Sequence, residues 1–321
     1  IVAVIDPAHA GADLRAITGI ARAVPVVADM AAALRFGPAV AVVGLAPSGG
    51  RLPLEMRADV LAALRAGVSL ASGLHSRLAA DPEFAAIPLA PGQWIWDLRQ
   101  EPADLEVATG RAAALPCRRL LALGSDMAVG KMSACLELQA AAGRRGLEAR
   151  FVGTGQAGIL ISGQGVALDA VRVDYAAGAV EAAVLAAAAG AGPEAWVLVE
   201  GQGSLAHPGS TASLPLLRGS QPTDLLLVHR AGQSLVRTRP GAEPVAIPPL
   251  PDLIQACEAL AALGRPDGRR PRVRAVALNT ALLDADAAAA AAGNLEQQLS
   301  LPCCDPVRDG ADLLLDALNG R

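Results

Sequence analysis

The sequence predicts an α/β protein with two domains, each built around a mostly parallel sheet. Short β-branched runs alternate with stretches rich in alanine and leucine through the first third of the chain. A second alternation begins near Leu120, where an apolar run leads into a glycine-bounded loop and then a helical pattern. Strands that alternate with helices are typical of parallel sheets covered on both faces. With 321 residues, the chain is long enough for each domain to bury its own core.

Residues 1–115 are predicted to form a Rossmann-like domain, because short strands alternate with helices along this part of the chain. Its candidate strands are Val2–Ile5, Val24–Val27, Ala39–Val43, Val68–Ala71 and Trp94–Trp96. Its candidate helices lie near Asp13–Arg22, Leu54–Arg65 and Ser76–Ala80. The segment from Asp97 to Pro116 combines charges with prolines and has little strand character. We therefore place the domain boundary there and assign residues 116–321 to the second domain.

Ligand-binding residues of the first domain are expected beyond the carboxyl ends of its strands, where open parallel sheets place their ligands. The third strand is followed by the segment from Gly44 to Pro53, which contains a glycine pair and Arg51. This segment is equally consistent with an anion-binding loop and with an ordinary turn that leads into a helix. His75 follows the fourth strand and is either a ligand-binding or a structural side chain.

The second domain begins with a strand, a loop and a helix that together have the composition of a phosphate-binding loop. The strand Leu120–Leu123 leads into residues 124–130, and the helix is predicted from Lys131 to about Arg144. Glycines let backbone N–H groups surround an anion, the helix N-terminus adds partial positive charge, and the lysine neutralises phosphate oxygens. The alternative is a glycine turn followed by an exposed lysine.

This loop departs from the usual pattern G-x-x-x-x-G-K-[ST] in two ways. Five residues instead of four separate Gly124 from Gly130, and Met132 occupies the hydroxyl position, with Ser133 one place later. The domain is therefore predicted to be a variant of the P-loop NTPase-like fold with a mostly parallel sheet.

A carboxylate at the end of an apolar strand is the second chemical signal of this domain. The strand Trp196–Val199 is followed by Glu200 and then by glycines, as in a Walker-B strand. Such a strand directs an acid at Mg²⁺, which takes few carboxylates together with waters and phosphate oxygens. Asp126 and Asp174 are the candidate second acids. The alternative for Glu200 is a surface carboxylate.

Other polar residues follow other predicted strands of the second domain. Thr154 and Gln156 lie in a second glycine-rich loop, and Arg230 and Asn279 each follow a later strand. His207 lies in the glycine-rich loop after the Walker-B-like strand and is the candidate acid or base. A structural histidine is the alternative.

Composition argues against several classes of partner. The net charge is −4 and aromatic residues make up 2% of the chain, so neither a basic footprint nor stacking platforms indicate nucleic-acid binding. The apolar run from Ala176 to Ala191 contains Glu181 and is predicted to be a buried helix instead of a membrane span. No signal peptide is predicted, because Ile1–Ile5 has the pattern of a strand and no basic flank.

The five cysteines are widely spread and show no metal-ligand spacing, since neither C-x-x-C nor H-E-x-x-H occurs. Reduced thiols are typical of cytoplasmic proteins, so we predict a cytoplasmic location. We also expect a small-molecule substrate and a homo-oligomer.

Two short segments resemble dethiobiotin synthetase. The segment Gly124–Lys131 (G-S-D-M-A-V-G-K) resembles the variant P-loop of that enzyme, G-T-D-x-x-V-G-K-T. The segment Val199–Gly203 (V-E-G-Q-G) is similar to its magnesium-binding V-E-G-x-G. Asn279, at a late strand end, resembles the asparagine with which the synthetase reads adenine.

A second resemblance covers essentially the whole chain. The segments that carry it are Ser48–Pro53, Gly73–His75, Gly130–Met132, Thr154–Gln156, Glu200–Ser204, His207–Pro208 and Cys304–Arg308. They resemble a bacterial family first described as a P-loop domain of unknown function, whose members are described as D-glutamate N-acetyltransferases. Methionine after the P-loop lysine is typical of that family, so Met132 fits the resemblance.

This resemblance implies a Rossmann-like domain followed by a P-loop domain, and acetyl transfer from acetyl-CoA to the amine of D-glutamate. The implied cofactor-binding residues are Gly124, Ser125, Asp126, Val129, Gly130, Lys131, Met132, Ser133, Thr154, Gln156 and Asn279. The implied catalytic residues are Lys131, Glu200 and His207, and the substrate-binding residues are Arg51, His75 and Arg230. Candidate metal ligands are Glu200, Asp126 and Asp174.

Three functions follow from these patterns. The first is an acetyl-CoA-dependent N-acetyltransferase that acts on an acidic amino acid. The second is an ATP- and Mg²⁺-dependent ligase or kinase that activates a carboxylate, as the likeness to dethiobiotin synthetase implies. Lys131 together with Glu200 suits a magnesium nucleotide, whereas CoA requires no metal. The third is a nucleotide-binding regulator without catalysis.

Overall fold

In the computed structural model, residues 1–45, 47, 49–239 and 241–320 are described, and they form two compact units. The first unit ends at Gln100, so the division falls earlier than the boundary expected at residue 115. The segment that follows is attached to the second unit through the buried side chain of Glu181. This carboxylate accepts hydrogen bonds from the backbone N–H groups of Thr109 and Arg111, at 3.3 and 2.7 Å.

The first unit contains two small parallel sheets and four short or medium helices. The strands are β1 Val4–Ile5, β2 Val26–Val27, β3 Val40–Val43, β4 Ser69–Ser72 and β5 Ile95–Asp97. The helices are α1 Leu14–Thr18, α2 Met30–Ala33, α3 Leu54–Arg65 and α4 Pro82–Ala85. Strand β1 pairs with β2, while β3, β4 and β5 form a separate sheet in that order. An apolar core lies under α3, as expected for a Rossmann-like unit.

Two of the predicted helices in this unit differ from the structure. The helix predicted from Asp13 to Arg22 ends at Thr18, because Gly19 adopts a left-handed conformation and caps it. The helix predicted at Ser76–Ala80 is wrong. The backbone N–H groups of residues 78 and 79 instead donate to the buried carboxylate of Asp97, at 2.9 and 3.0 Å, which holds this segment out of a helix.

The second unit is a six-stranded sheet with helices on both faces. Its strands are β6 Arg118–Gly124, β7 Ala149–Val152, β8 Trp196–Val199, β9 Asp224–Arg230, β10 Val273–Asn279 and β11 Cys303–Cys304. Its helices are α5 Lys131–Arg144, α6 Gln156–Ser162, α7 Ala176–Ala187, α8 Ser213–Ser220, α9 Leu250–Ala262, α10 Ala285–Leu299 and α11 Asp312–Asn319. The strand order is β11-β10-β9-β6-β8-β7, and every neighbouring pair is parallel.

The central strand β6 shows why this sheet is buried on both faces. Leu120 and Ala122 belong to the apolar core on one face, and Leu121 and Leu123 belong to the core on the other. Successive side chains of a strand point to opposite faces, so a continuous apolar run is what a doubly covered sheet requires. Because the strands are parallel, their carboxyl ends meet at one edge of the sheet, where ligands bind in such folds.

The alanine-rich run of the second unit is a buried helix, as the sequence predicts. It corresponds to α7, whose Glu181 is fully buried. None of the described helices combines the length and the apolarity that crossing a bilayer requires. All five cysteines are buried and free.

Candidate functional site

The loop between β6 and α5 is the centre of the candidate site. Three of its carbonyl groups are each held by a side chain from a different element. The pairs are Lys131 Nζ with Asp126 O (2.8 Å), Arg230 Nη2 with Ala128 O (2.8 Å) and Asn279 Nδ2 with Val129 O (3.0 Å). With these carbonyls held, the described residues offer no acceptor for the backbone N–H groups of residues 130–132. Such N–H groups can bind an anion.

Two glycines of the loop are required by its shape. Gly130 has a φ of 113°, a conformation that side-chain-bearing residues rarely adopt. A Cβ on Gly124 would lie 2.6 Å from Lys131 Nζ, so only glycine lets the lysine fold back over the loop. The altered spacing between these glycines therefore still forms a compact anion-binding loop.

Lys131 is 6% exposed, and its ammonium makes one hydrogen bond, to Asp126 O. An ammonium group carries three donors, so two are left for a ligand. Burial lowers the pKa of Lys131 to about 8, while the nearby carboxylates of Asp126 and Glu200 partly offset that effect. The lysine is therefore a cation near its titration point with unused donors, as a phosphate-binding group would be.

The lowered pKa of Lys131 predicts a pH dependence of ligand binding. The ammonium is charged below its pKa of about 8 and loses its charge above it. The affinity for a phosphate-bearing ligand should therefore fall as the pH rises above 8, by up to about tenfold per pH unit. Titration calorimetry at pH 7, 8 and 9 measures this change. The residual affinity of Lys131→Ala should not change with pH, and a flat wild-type profile would contradict the assignment.

Glu200, at the end of β8, is held by the glycine-rich loop that precedes α6. Its Oε2 accepts hydrogen bonds from the backbone N–H groups of Thr154 and Gly155, at 2.9 and 3.4 Å. A Cβ on Gly158 would overlap this carboxylate. Burial raises the pKa of Glu200, although the hydrogen bonds from the loop and the charge of Lys131 act against that shift. The carboxylate is thus fixed in place and more basic than usual.

Thr154 supports Glu200 instead of facing a ligand. It is 1% exposed, and its Oγ1 donates to the backbone oxygen of Glu200 at 2.8 Å. The cofactor-binding role predicted for Thr154 is therefore better described as positioning of the acid. Gln156, the first residue of α6, is half-buried and lines neither of the two cavities described below.

A cleft of about 630 Å³ opens in front of Lys131 and Glu200. The loop residues on its rim come from the P-loop, from the segment after β8 and from residues 209–212. Its apolar lining includes Leu168, Val171, Val173, Ala176 and Pro215. Among the described residues that line the cleft, Lys131 is the one basic side chain, and Glu200 and Asp169 are the acids. Asp169 was not predicted from the sequence.

A second cavity of about 420 Å³ also borders the P-loop, next to Asn279. Both cavities include Gly130 and Ser133 in their walls. The amide of Asn279 donates to Val129 O and accepts from the N–H of Ala281 at 3.1 Å. A side-chain amide has two donors and two lone pairs, so one of each is left for a base edge. This arrangement suits adenine, which pairs with amides through one donor and one acceptor.

The structure does not bring the three predicted metal ligands together. Asp126 is fully buried, and both of its oxygens are used. They accept from Met127 N (2.7 Å), Gln233 Nε2 (2.7 Å) and Arg237 N (2.8 Å). Asp174 is exposed and does not line the cleft, so Glu200 is the one predicted ligand that does. Within the described ranges no three His, Cys, Asp or Glu side chains group as a metal site. Of the predicted set, Glu200 alone is placed to hold a magnesium ion in the cleft, together with waters and phosphate oxygens.

Both ring nitrogens of His207 are engaged in hydrogen bonds with backbone groups. Nδ1 accepts from the N–H of Gly209 at 3.0 Å, which leaves the proton on Nε2 to donate to Arg237 O at 2.8 Å. His207 does not line the cleft. The geometry favours a role in holding the loop over the predicted role as acid or base.

A buried histidine beside the P-loop has no counterpart among the predicted site residues. The Nδ1 of His229, in β9, lies 2.8 Å from Ser125 Oγ, and both side chains are buried. Burial lowers the pKa of His229, which favours its neutral form. The sequence signal was its place at a strand end, directly before Arg230.

Two predicted substrate residues lie in the first unit. Arg51 is exposed, and the backbone N–H of His75 donates to Gly50 O at 2.9 Å, so this histidine helps to shape the loop after β3. Ala46 and Ser48 of that loop lie outside the described residues. The ligand roles of Arg51 and His75 stay predictions.

A parallel sheet whose central strand leads into a phosphate-binding loop, preceded by a Rossmann-like unit, defines a two-domain protein of the P-loop class. Residues 106–315 match a P-loop domain of unknown function, DUF1611_C, and residues 7–101 match a Rossmann-like domain, DUF1611_N. The chain belongs to the DUF1611 family.

Curated relatives and a solved structure extend this assignment. The chain is 36% identical over 278 residues to a D-glutamate N-acetyltransferase of Tritonibacter scottomollicae, which covers 86% of this chain and 80% of the relative. It is 34% identical over 288 residues to a D-glutamate N-acetyltransferase of a Pseudoalteromonas species, with coverage of 88% and 82%. A crystal structure of a DUF1611 family protein from Anabaena variabilis is 52% identical, with a TM-score of 0.92 over 100% of this chain and 91% of that one.

Proposed function

We propose that this protein transfers an acetyl group from acetyl-CoA to the amine of an acidic amino acid, of which D-glutamate is the expected member. The observation that carries the proposal is the pairing of a buried carboxylate with a phosphate-binding lysine in one cleft. Glu200 and Lys131 both line it, and burial raises the pKa of the first and lowers that of the second. The names of the curated relatives support the same reaction.

The P-loop suits the pyrophosphate of acetyl-CoA. The ammonium of Lys131 has two unused donors, and the N–H groups of residues 130–132 have no acceptor among the described residues. The cavity next to Asn279 then suits the adenine ring, and the larger cleft suits the thioester and the amino acid. Acetyl-CoA is a substrate in this proposal and needs no metal to bind.

Glu200 is the proposed general base. It takes a proton from the substrate ammonium, and the free amine attacks the thioester carbonyl. A bond forms between nitrogen and the acetyl carbon, the carbon–sulfur bond breaks, and CoA leaves as a thiolate that takes up the second proton released by the nitrogen. A raised pKa suits this task, since a base works best when its pKa approaches the working pH. Backbone N–H groups of residues 201–203 are the proposed donors to the oxyanion.

Arg230 is the proposed partner of a substrate carboxylate. Its Nη2 holds Ala128 O, and its Nε is buried without a hydrogen-bond partner among the described residues. A buried N–H without a partner costs free energy, and a carboxylate that accepts from it removes that cost. Ala128 lines the cleft and Arg230 itself does not, so this proposal requires the loop at Ala128 to shift before a substrate carboxylate reaches the guanidinium.

The alternative is an ATP- and Mg²⁺-dependent ligase or kinase. Lys131 and Glu200 favour it, because they occupy the positions of a Walker lysine and a Walker-B acid. Met132 and the separation of Asp126 and Asp174 from the cleft count against it, since a magnesium site needs oxygen ligands. The predicted homo-oligomer and cytoplasmic location stay predictions.

Calorimetric titration with acetyl-CoA, and separately with ATP plus Mg²⁺, distinguishes the two reactions. We expect acetyl-CoA to bind, and the release of free CoA thiol to depend on an added acidic amino acid. D-Glutamate, L-glutamate and D-aspartate are the substrates to compare. Binding of ATP with Mg²⁺, hydrolysis on addition of a carboxylate, and no binding of acetyl-CoA would overturn the acetyltransferase in favour of the ligase.

A further inference from the structure

Among the described residues that line the cavity next to Asn279, Arg308 is the one basic side chain. Neutral acceptors hold it: Nε donates to Thr280 Oγ1 at 3.2 Å, and Nη2 donates to Thr280 O and Leu283 O at 3.2 and 2.7 Å. No described carboxylate lies within ion-pair distance of this guanidinium. Its positive charge is therefore fixed in position and not neutralised by an ion pair.

Among the described residues that line this cavity, the one acid already has both carboxylate oxygens in hydrogen bonds. Asp305 is 5% exposed, and its Oδ2 accepts from Thr280 N and Oγ1, at 2.8 and 2.5 Å. Its Oδ1 accepts from the backbone N–H groups of Val307 and Arg308, at 3.0 and 3.2 Å. These four bonds fold the loop after β11 so that Arg308 lines the cavity. Asp305 shapes the loop, and the guanidinium is left to meet a ligand.

The position of Arg308 places it near the ribose of an adenine nucleotide bound at the P-loop. Gly130 and Ser133 of the P-loop, Asn279 and Arg308 all line this cavity. If phosphates lie on the P-loop and adenine lies at Asn279, the ribose is between them and within this cavity. The ribose of CoA carries a 3′-phosphate, whereas that of ATP does not. A basic group here has an anionic partner in CoA and none in ATP.

We propose that Arg308 binds the ribose 3′-phosphate of CoA and thereby selects 3′-phosphorylated adenosine over ATP and dephospho-CoA. This inference rests on the proposed function and adds to it a residue that determines ligand specificity. Nε and Nη2 already donate to Thr280 and Leu283, so the two N–H donors of Nη1 are left for a phosphate, as charge-assisted hydrogen bonds. Arg308 already has its plane set by the carbonyl groups behind it, so little side-chain freedom is lost on binding.

The test compares CoA with dephospho-CoA, which differ only in the 3′-phosphate, by calorimetric titration of the full chain. The wild type should bind CoA about 10- to 100-fold more tightly than dephospho-CoA, as expected for a charge-assisted contact. In Arg308→Ala this ratio should fall to about 1 to 3, because only the contact with the 3′-phosphate is removed. The affinity for dephospho-CoA itself should change little.

Two further variants keep the result decisive. Arg308→Lys retains the charge without the planar fork, so its ratio should lie between those of wild type and Arg308→Ala. Arg270→Ala removes an exposed arginine that lines neither cavity, so its ratio should equal the wild-type value. If Arg308→Ala does not fold, the ratio of the affinities for CoA and dephospho-CoA in the wild type and in Arg308→Lys still tests the proposal.

The titrations distinguish a failure of the proposed function from a failure of the role proposed for Arg308. If the wild type binds neither CoA nor dephospho-CoA, both the proposed function and this inference are contradicted. A wild type that binds both ligands equally well overturns the inference alone. So does an Arg308→Ala variant that weakens both ligands by the same factor, because Arg308 would then act only on the shape of the loop.

Discussion

Lys131→Ala should weaken the binding of acetyl-CoA by on the order of 2–4 kcal/mol, which is about 30- to 1,000-fold in Kd. The substitution removes the one basic side chain among the described residues of the cleft lining and leaves the phosphate charge uncompensated in a buried position. Calorimetric titration of wild type and variant measures the change directly. This is the largest effect on binding that we expect from one side chain.

The matched control for this substitution is Arg144→Ala, which removes an exposed basic group from the last turn of the same helix. It should leave the affinity within about twofold, because exposed ion pairs contribute little. The thermal midpoint of Lys131→Ala should not fall, since burial of the ammonium already lowers its pKa and so opposes folding of the charged form. An unchanged affinity in Lys131→Ala would remove the P-loop assignment.

Glu200→Gln should lower the rate of acetyl transfer by about 10²- to 10⁴-fold, as expected when a general base is lost. The amide oxygen can still accept from the N–H groups of Thr154 and Gly155, so the loop and the fold should persist. The change should appear in kcat, with the Kd for acetyl-CoA nearly unchanged. The initial rate of thiol release at saturating acetyl-CoA is the measurement.

Variants of Thr154 separate the chemistry of Glu200 from its placement. Thr154→Ser retains the backbone N–H and the hydroxyl that hold Glu200, and it should retain the rate. Thr154→Val loses the hydroxyl and should give an intermediate rate. A Glu200→Gln enzyme with the wild-type rate would show that the base lies elsewhere. Loss of a dependence on Mg²⁺ in that variant would instead support the ligase.

The elements around the P-loop could be predicted from the sequence because several signals agree there. The helix Lys131–Arg144 was predicted with its observed bounds, since glycines flank it and an apolar strand precedes it. The strand Trp196–Val199 also has the predicted bounds. The helix at Ser76–Ala80 failed because a distant carboxylate, that of Asp97, captures its N–H groups. No local pattern reveals such a partner.

The candidate site, like the fold, was predictable only in part. Parallel strands bring their carboxyl ends to one edge, so Glu200, Arg230 and Asn279 were predictable as neighbours of the P-loop. Which atoms pair was not predictable. Asp126 and His207 have side chains suited to a metal or a proton, yet each makes a hydrogen bond with the backbone of Arg237, which is 30 or more residues away in the sequence. The role of a polar residue depends on partners that only the tertiary structure supplies.

The three held carbonyl groups of the P-loop have a consequence for the rate of binding. Strands β9 and β10 and helix α5 each contribute one of the donors, so the loop is ordered by the fold before any ligand arrives. Most of the entropy lost in ordering such a loop is then lost during folding and not during association. A ligand meets a preorganised receptor, so differences in affinity among related ligands should arise mainly from how fast they dissociate.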